Sequence, residues 1–163
     1  MTQYILSNKE MAKADLLTIE SGISSLDLMF NAGKKVFNNL PVQRDKRALF
    51  ICGPGNNGGD GYVAADLILK QGMEIDIYCP ISKAKESNDN LHYKQKLNKS
   101  LFVSKIRSLS NYCYVVDALF GTGLSRTMSN DLSSLVSKIN QSKLDVFSVD
   151  IPVSYTHLTL PTT

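Results

Sequence analysis

The chain has 163 residues, the size of one domain, and 43% of them are hydrophobic, enough to bury a sizeable core. This composition excludes a disordered tail and a disulfide-stapled miniprotein. With 18 basic and 15 acidic residues, the net charge of +3 is too small to favour a nucleic acid or a membrane as partner. No apolar run reaches the ~18 residues of a membrane-spanning helix, and the N-terminus lacks a signal-peptide pattern, so we expect a soluble, cytoplasmic protein.

The first 40 residues have a helical pattern that divides into two helices. Ser7 and Glu10 form a capping box for the first helix, Gly22 interrupts the pattern, and Ser24 or Ser25 can cap the second helix. The apolar face of the first helix contains Met11, Ala14, Leu17 and residues 19–23.

After a polar linker, short apolar runs alternate with helical patterns. Continuous apolar strands separated by helices indicate a parallel sheet that is covered on both faces. We therefore predict a Rossmann-like three-layer α/β/α sandwich with a mainly parallel sheet, on which the N-terminal helical pair packs. The predicted strands are 48–52, 75–79, 112–120 and 144–151, and the predicted helices are 62–71, 87–97 and 129–139.

The cysteines and histidines do not indicate a metal site or a nucleophile. Cys52, Cys79 and Cys113 are an odd number without CxxC spacing, and each lies in an apolar run. We interpret them as small buried hydrophobic residues in a reducing compartment. His92 lies in a polar helix and is expected at the surface, and His157 is given no catalytic role.

A glycine-rich segment, GPGNNGGDG at residues 53–61, lies between the first predicted strand and a helix. It satisfies the GxGxxG spacing of nucleotide-binding folds, in which glycines let backbone N–H groups approach a phosphate. The absence of a following Lys-Ser/Thr excludes a Walker A loop, and the second strand ends without the acidic residue that holds a ribose. Two amides and a carboxylate, Asn56, Asn57 and Asp60, favour a binding function over a purely structural turn.

Two further segments place carboxylates at the ends of strands. Asp117 lies in VVDALFGTGLSR (115–126), where a metal ion, a backbone amide or a polar substrate could be its partner, or it could cap the next helix. Asp150 lies in SVDIP (148–152). Ligands of open α/β sheets bind outside the carboxyl ends of the strands. The residues expected at that edge are Asn57, Asp60, Asp117, Gly121 and Asp150.

These three segments, together with LMFNAG at residues 28–33, resemble the YjeF N-terminal domain family, the NAD(P)H-hydrate epimerases. The resemblance covers residues 11–152 and implies an isomerase of nicotinamide nucleotide repair. Such an enzyme interconverts the R and S forms of hydrated NADH or NADPH (NADHX or NADPHX), from which an ADP- or ATP-dependent dehydratase restores the cofactor.

The resemblance also implies the residues of the site. Asp117 would be the catalytic acid/base, and Asn57 and Asp117 would bind a potassium ion, which suits amide and carboxylate oxygens. The residues implied to contact the hydrated cofactor are Asn56, Asn57, Gly58, Gly59, Asp60, Gly121, Thr122, Gly123, Leu124, Ser125, Arg126, Thr127 and Asp150.

The chain departs from the family pattern at two places. Phe30 stands where an acidic residue is usual, and Val153 stands where the family has a serine that ligates potassium. We expect residues 1–152 to be an incomplete family domain and residues 153–163 to be a non-native tail of adapter or read-through sequence. The alternative for the tail is an added strand.

Two other function classes compete with the epimerase. A non-catalytic scaffold or nucleotide-binding module of this family is disfavoured, because such a protein would not need three carboxylates at one edge of the sheet. An NAD-dependent oxidoreductase is disfavoured by the missing ribose acid. The resemblance leaves open whether the chain forms a homodimer. It also leaves open whether a dehydratase is fused to the chain or is a separate protein.

Overall fold

The computed structural model describes residues 8–81, 84–121 and 128–150. Ten helices and strands follow one another in this part of the chain, with short 3-10 turns at Lys99–Leu101 and Leu109–Asn111. The helices are α1 (Asn8–Glu20), α2 (Ser25–Asn38), α3 (Asn56–Lys70), α4 (Asn88–Gln95) and α5 (Asn130–Gln141). The strands are β1 (Arg47–Cys52), β2 (Glu74–Tyr78), β3 (Phe102–Val103), β4 (Tyr114–Ala118) and β5 (Asp145–Ser148).

The five strands form one sheet in the order β3-β2-β1-β4-β5, and every neighbouring pair is parallel. The chain moves outward from β1 to β2 and β3, then crosses back to β4 on the other side of β1. The strand order therefore reverses between β1 and β4, which is the switch point where open α/β sheets bind ligands. This topology confirms the predicted Rossmann-like fold.

The central strands are apolar throughout because helices cover both faces of the sheet. Phe50 and Tyr62 belong to the larger core cluster, on the α3 side, whereas Leu49, Ile51 and Val115 belong to a smaller cluster on the α5 side. All five side chains are almost fully buried. Burial on both faces explains why the sequence shows continuous apolar runs instead of alternation.

Helix α3 begins earlier than predicted, at Asn56 instead of Tyr62. The sequence suggested a loop because glycines disfavour helices. In the structure, a Cβ on Gly58 would lie 2.0 Å from the carbonyl oxygen of Gly53, and one on Gly61 would lie 2.6 Å from the Cβ of Ala118. The glycines therefore allow α3 to pack closely on the sheet, and this tertiary packing outweighs their low helix propensity.

Other predicted elements differ in extent. The two-residue β3 was not predicted because it is too short to give a pattern, so the sheet has five strands instead of four. The predicted strands 112–120 and 144–151 are shorter in the structure, as β4 and β5, and residue 151 lies outside the described residues.

The two N-terminal helices differ in how they pack. Ser24 caps α2 by accepting a hydrogen bond from the N–H of Asp27, and α2 packs against α3. Leu17, Ile19 and Ile23 are exposed, so the apolar face predicted for the first helix is not buried at these positions. Ser7, of the predicted capping box, lies outside the described residues.

The cysteines are free, as predicted, but only Cys52 is buried. Cys79 and Cys113 are half-buried because each lies just outside a strand. His92 is exposed, which confirms its predicted surface position. In the described part of the chain, no helix is long and apolar enough to cross a membrane.

Candidate functional site

The candidate site lies at the carboxyl ends of β1 and β4, which are adjacent at the switch point. Ile51 pairs with Asp117 and Cys52 with Ala118. Just beyond β1, the N–H of Gly53 donates to the carbonyl oxygen of Ala118 over 3.0 Å. The segments after the two strands are therefore held against each other where they leave the sheet.

The N-terminus of α3 opens onto this edge. Its N-cap residue is Gly55, which has an extended backbone and provides no side-chain cap. A Cβ on Gly55 would meet no atom within 4 Å, so there is open space beside the first turn. Backbone N–H groups and the helix dipole together make such an end favourable for an anion.

Three of the residues predicted for the site meet at Gly121. The Nδ2 of Asn57 donates to the carbonyl oxygen of Phe120 over 2.7 Å. A Cβ on Gly121 would lie 2.9 Å from Oδ2 of Asp150 and 3.4 Å from the Cβ of Asn57. The structure thus brings together Asn57, Gly121 and Asp150 from three separate segments.

Asp117 is the fourth residue of β4, where it is half-buried between apolar neighbours. Burial raises the pKa of its carboxyl group, and the hydrogen bond of 3.1 Å from the N–H of Leu119 to Oδ1 only partly opposes this rise. A carboxyl group that keeps its proton at higher pH than usual is suited to act as a general acid.

The side chain of Asn57 fits the implied cation. Its Oδ1 is buried and has no hydrogen-bond partner among the described residues. Amide and carboxylate oxygens are hard ligands of the kind that alkali cations take. Within the described ranges, no group of three or more His, Cys, Asp or Glu side chains could hold a metal ion. The buried Asn57 oxygen is a ligand of the type that the implied potassium ion takes.

The other predicted site residues occupy less central positions. Gly58 and Gly59 are buried in α3, and a Cβ on Gly59 would lie 2.4 Å from the sulfur of Met29, so both serve packing. Asp60 is half-buried one turn after Asn57, on the same face of α3. Asn56 is exposed and accepts a hydrogen bond of 2.8 Å from the Ser87 hydroxyl. The remaining predicted residues, Thr122, Gly123, Leu124, Ser125, Arg126 and Thr127, lie outside the described residues.

Asn90 supports the glycine-rich segment and was not predicted from the sequence. It is fully buried in α4, and its Nδ2 donates to the carbonyl oxygens of Gly53 (3.1 Å) and Gly55 (2.8 Å). Ser87, the N-cap of α4, also holds this segment because its N–H donates to the carbonyl oxygen of Pro54. The only signal in the sequence is Ser87 itself, since an N-cap there places Asn90 in the first turn of a helix.

The fold and the site define a Rossmann-like α/β protein whose polar side chains gather at the switch point. The family model for the YjeF-related protein N-terminus matches residues 25–159 of the chain. The chain belongs to this family, which confirms the resemblance found in the sequence.

Several relatives are similar over most of the chain. An NAD(P)H-hydrate epimerase of Oenococcus oeni is 36% identical over 93% of this chain and 75% of its own length. A bifunctional NAD(P)H-hydrate repair enzyme of Synechocystis is 29% identical over 91% of this chain and 29% of its own length. The crystal structure of the yeast protein ynu0 has a TM-score of 0.75 and 22% identity, covering 93% of this chain and 72% of that one. This last likeness concerns the fold alone.

Replacing Asn90 tests whether its amide holds the glycine-rich segment. In Asn90→Ala, the carbonyl oxygens of Gly53 and Gly55 lose their donor, so we expect a loss of about 2–4 kcal/mol in the free energy of unfolding. Urea unfolding measures this loss. Asn88→Ala, at the exposed first residue of the same helix, is the control and should change stability by less than about 0.5 kcal/mol. Equal effects of the two substitutions would contradict the supporting role of Asn90.

Asp117→Asn tests the cost of burying the carboxylate. Burial raises the pKa of Asp117 in the folded protein, so folding favours the protonated carboxyl group. The stability that this group contributes is complete below the ordinary pKa of 3.8 and is lost as pH rises through the folded pKa. At pH 7 we expect the variant to be more stable than the wild type by about 1 kcal/mol, a few degrees in Tm.

Thermal unfolding over a pH series checks this expectation. The gain in Tm should disappear as the pH is lowered below the ordinary carboxyl pKa, since the wild-type side chain is then also neutral. Asp45→Asn, at an exposed position before β1, provides the control. A gain of the same size at every pH would show that burial of charge is not its cause.

Proposed function

We propose that the chain is an isomerase that interconverts the R and S forms of hydrated NADH or NADPH. Relatives named NAD(P)H-hydrate epimerase, such as that of Oenococcus oeni, support this proposal. The observation that carries it is the meeting of Asn57, Gly121 and Asp150 beside β4, whose Asp117 carboxyl has a raised pKa.

The reaction needs a proton at one oxygen and no change of redox state. The carbon that is inverted bears a hydroxyl group and is bonded to the ring nitrogen. Asp117 gives its proton to that hydroxyl as the C–O bond breaks, water leaves, and the nitrogen lone pair stabilises the cationic ring. Water then adds to the other face of the ring and loses a proton to solvent, while the Asp117 carboxylate takes a proton from solvent, so no proton is consumed overall.

After proton transfer, the Asp117 carboxylate also contributes to the reaction. It lies among apolar neighbours, where its attraction to the cationic ring is stronger than in water. Asp150 contributes a second carboxylate beside Gly121. In this proposal the two carboxylates stabilise the positive charge that develops on the ring.

The open end of α3 binds the charged part of the substrate. Gly55 leaves the first turn accessible, and the N–H groups of this turn suit the oxygens of the phosphate on the nicotinamide half of a dinucleotide. Asn56, at the same end, is exposed and available for a polar contact.

Asn57 and Asp117 would hold the potassium ion through their side-chain oxygens. When bound, this cation supplies a fixed positive charge that orients an oxygen of the substrate. The buried Oδ1 of Asn57, which lacks a partner among the described residues, supports this part of the proposal.

A cytoplasmic location stays a prediction, with which the three free thiols agree.

A dehydratase that consumes one epimer would act next. The bifunctional repair enzyme of Synechocystis, more than three times as long as the stretch it shares with this chain, supports a dehydratase as a fused or separate partner.

The test of the activity is an NMR or chromatographic assay of R/S interconversion of NADHX with this chain in potassium buffer. The chain should equilibrate the epimers faster than buffer alone, and Asp117→Asn should lower kcat by about 10²- to 10⁴-fold because it removes the acid. Because we expect this variant to be the more stable form at pH 7, thermal unfolding of the same sample separates lost activity from unfolding. Undiminished turnover in Asp117→Asn would remove this residue from its catalytic role.

The potassium site is tested by comparing salts at equal ionic strength. Potassium should lower the KM for NADHX relative to sodium, and Asn57→Ala should abolish this difference because it removes the amide oxygen. Asn56→Ala, at the neighbouring exposed position, should retain it. Thermal unfolding in the two salts provides a readout that needs no turnover. An equal KM and Tm in both salts would contradict the site.

A further inference from the structure

A groove of about 650 Å³ lies between α5 and the segment that leads from β3 back to β4. Tyr78, the last residue of β2, is one of its lining residues. Leu135 of α5 and Leu109 of the connecting segment provide apolar walls. The volume falls within the range of roughly 300–1,000 Å³ that is typical of small-molecule sites. None of these residues belongs to the site at the ends of β1 and β4.

The register of the sheet places this groove on the same face of the sheet as Asp117. Ile51 pairs with Tyr78 on one side and with Asp117 on the other. Neighbouring strands are ~4.8 Å apart, so Tyr78 and Asp117 lie in one row about 10 Å apart. Paired residues project to the same face, and Ile51 and Tyr78 both belong to the core cluster on the α5 side. The groove therefore begins two strands away from the candidate catalytic carboxyl group, on the same face.

The charged residues of the groove favour an anionic ligand. Lys105, Arg107 and Lys138 line it, against one carboxylate, Asp131. Among the described residues, none of the three cations takes part in an ion pair. Cations beside aromatic and aliphatic side chains suit a ligand that combines phosphate with a planar ring.

The groove is also long enough for a nucleotide. Its wall on α5 extends from Asp131 to Gln141, which at 1.5 Å per residue is about 15 Å. We propose that it binds the adenosine-phosphate half of the hydrated dinucleotide, with the purine against Tyr78 and Leu135 and the phosphate paired with Arg107 and Lys138. This inference rests on the proposed function and adds to it the part of the protein that recognises the half of the substrate remote from the reaction.

Calorimetric titration with AMP tests the groove without turnover. The 163-residue chain should bind AMP, and Arg107→Ala combined with Lys138→Ala should weaken binding by about tenfold or more, because two cations are lost. Lys34→Ala, at an exposed position of α2, is the charge-matched control for a single lysine and should bind AMP like the wild type. Absence of AMP binding, or equal binding by all three proteins, would overturn the proposal.

Kinetic measurements show whether the groove binds the adenosine half of the substrate or a separate nucleotide. AMP should inhibit NADHX epimerisation competitively, and inhibition of any other type would overturn the proposal. Hydrated reduced nicotinamide mononucleotide, which lacks the adenosine phosphate, should have the higher KM in the wild type. The ratio of the two KM values should fall about tenfold in the double variant.

The two proposals fail in different ways. A chain that binds AMP in the groove but does not epimerise NADHX contradicts the proposed function, and AMP then cannot be the substrate's half. A chain that epimerises NADHX but does not bind AMP contradicts the groove alone.

Discussion

The close approach of the chain beyond β1 to the chain beyond β4 is the constraint on which the site depends. Gly53 permits it, because a Cβ there would lie 2.0 Å from the carbonyl oxygen of Leu119. Gly58 then packs onto the Gly53 carbonyl group and brings the first turn of α3 to the same place. As a result the Asn57 amide reaches Phe120 on the other segment. The glycines of this region therefore serve assembly of the site, and the polar residues between them supply its chemistry.

Burial of Asp117 connects stability with chemistry. The strand that carries it must be apolar to lie inside the sheet, and the same surroundings raise the pKa of its carboxyl group. A charge in this position opposes folding, whereas a proton held there is available to a substrate. Proteins commonly accept such a loss of stability at functional sites, because the strained or desolvated group is the reactive one.

The two faces of the sheet are covered differently, and this difference produces the groove. On one side α3 packs on the strands, with α2 and α4 packed against it. On the other side the connection from β3 to β4 contains only the 3-10 turn Leu109–Asn111, and α5 lies over the smaller core cluster. A full crossover helix would fill the space above Tyr78. Its absence from this connection leaves an open, positively charged groove on the same face of the sheet as Asp117.

Sequence patterns were sufficient to predict the central strands of the sheet, the fold class and the segments that form the site. Buried parallel strands must be apolar along their whole length. A carboxylate in such a run, such as Asp117, therefore indicates a candidate site residue. The folded structure was needed to show where α3 begins, that β3 pairs with β2, and that Asn90 holds the glycine-rich segment. Each of these depends on contacts between residues distant in the chain, and local propensity carries no information about such contacts.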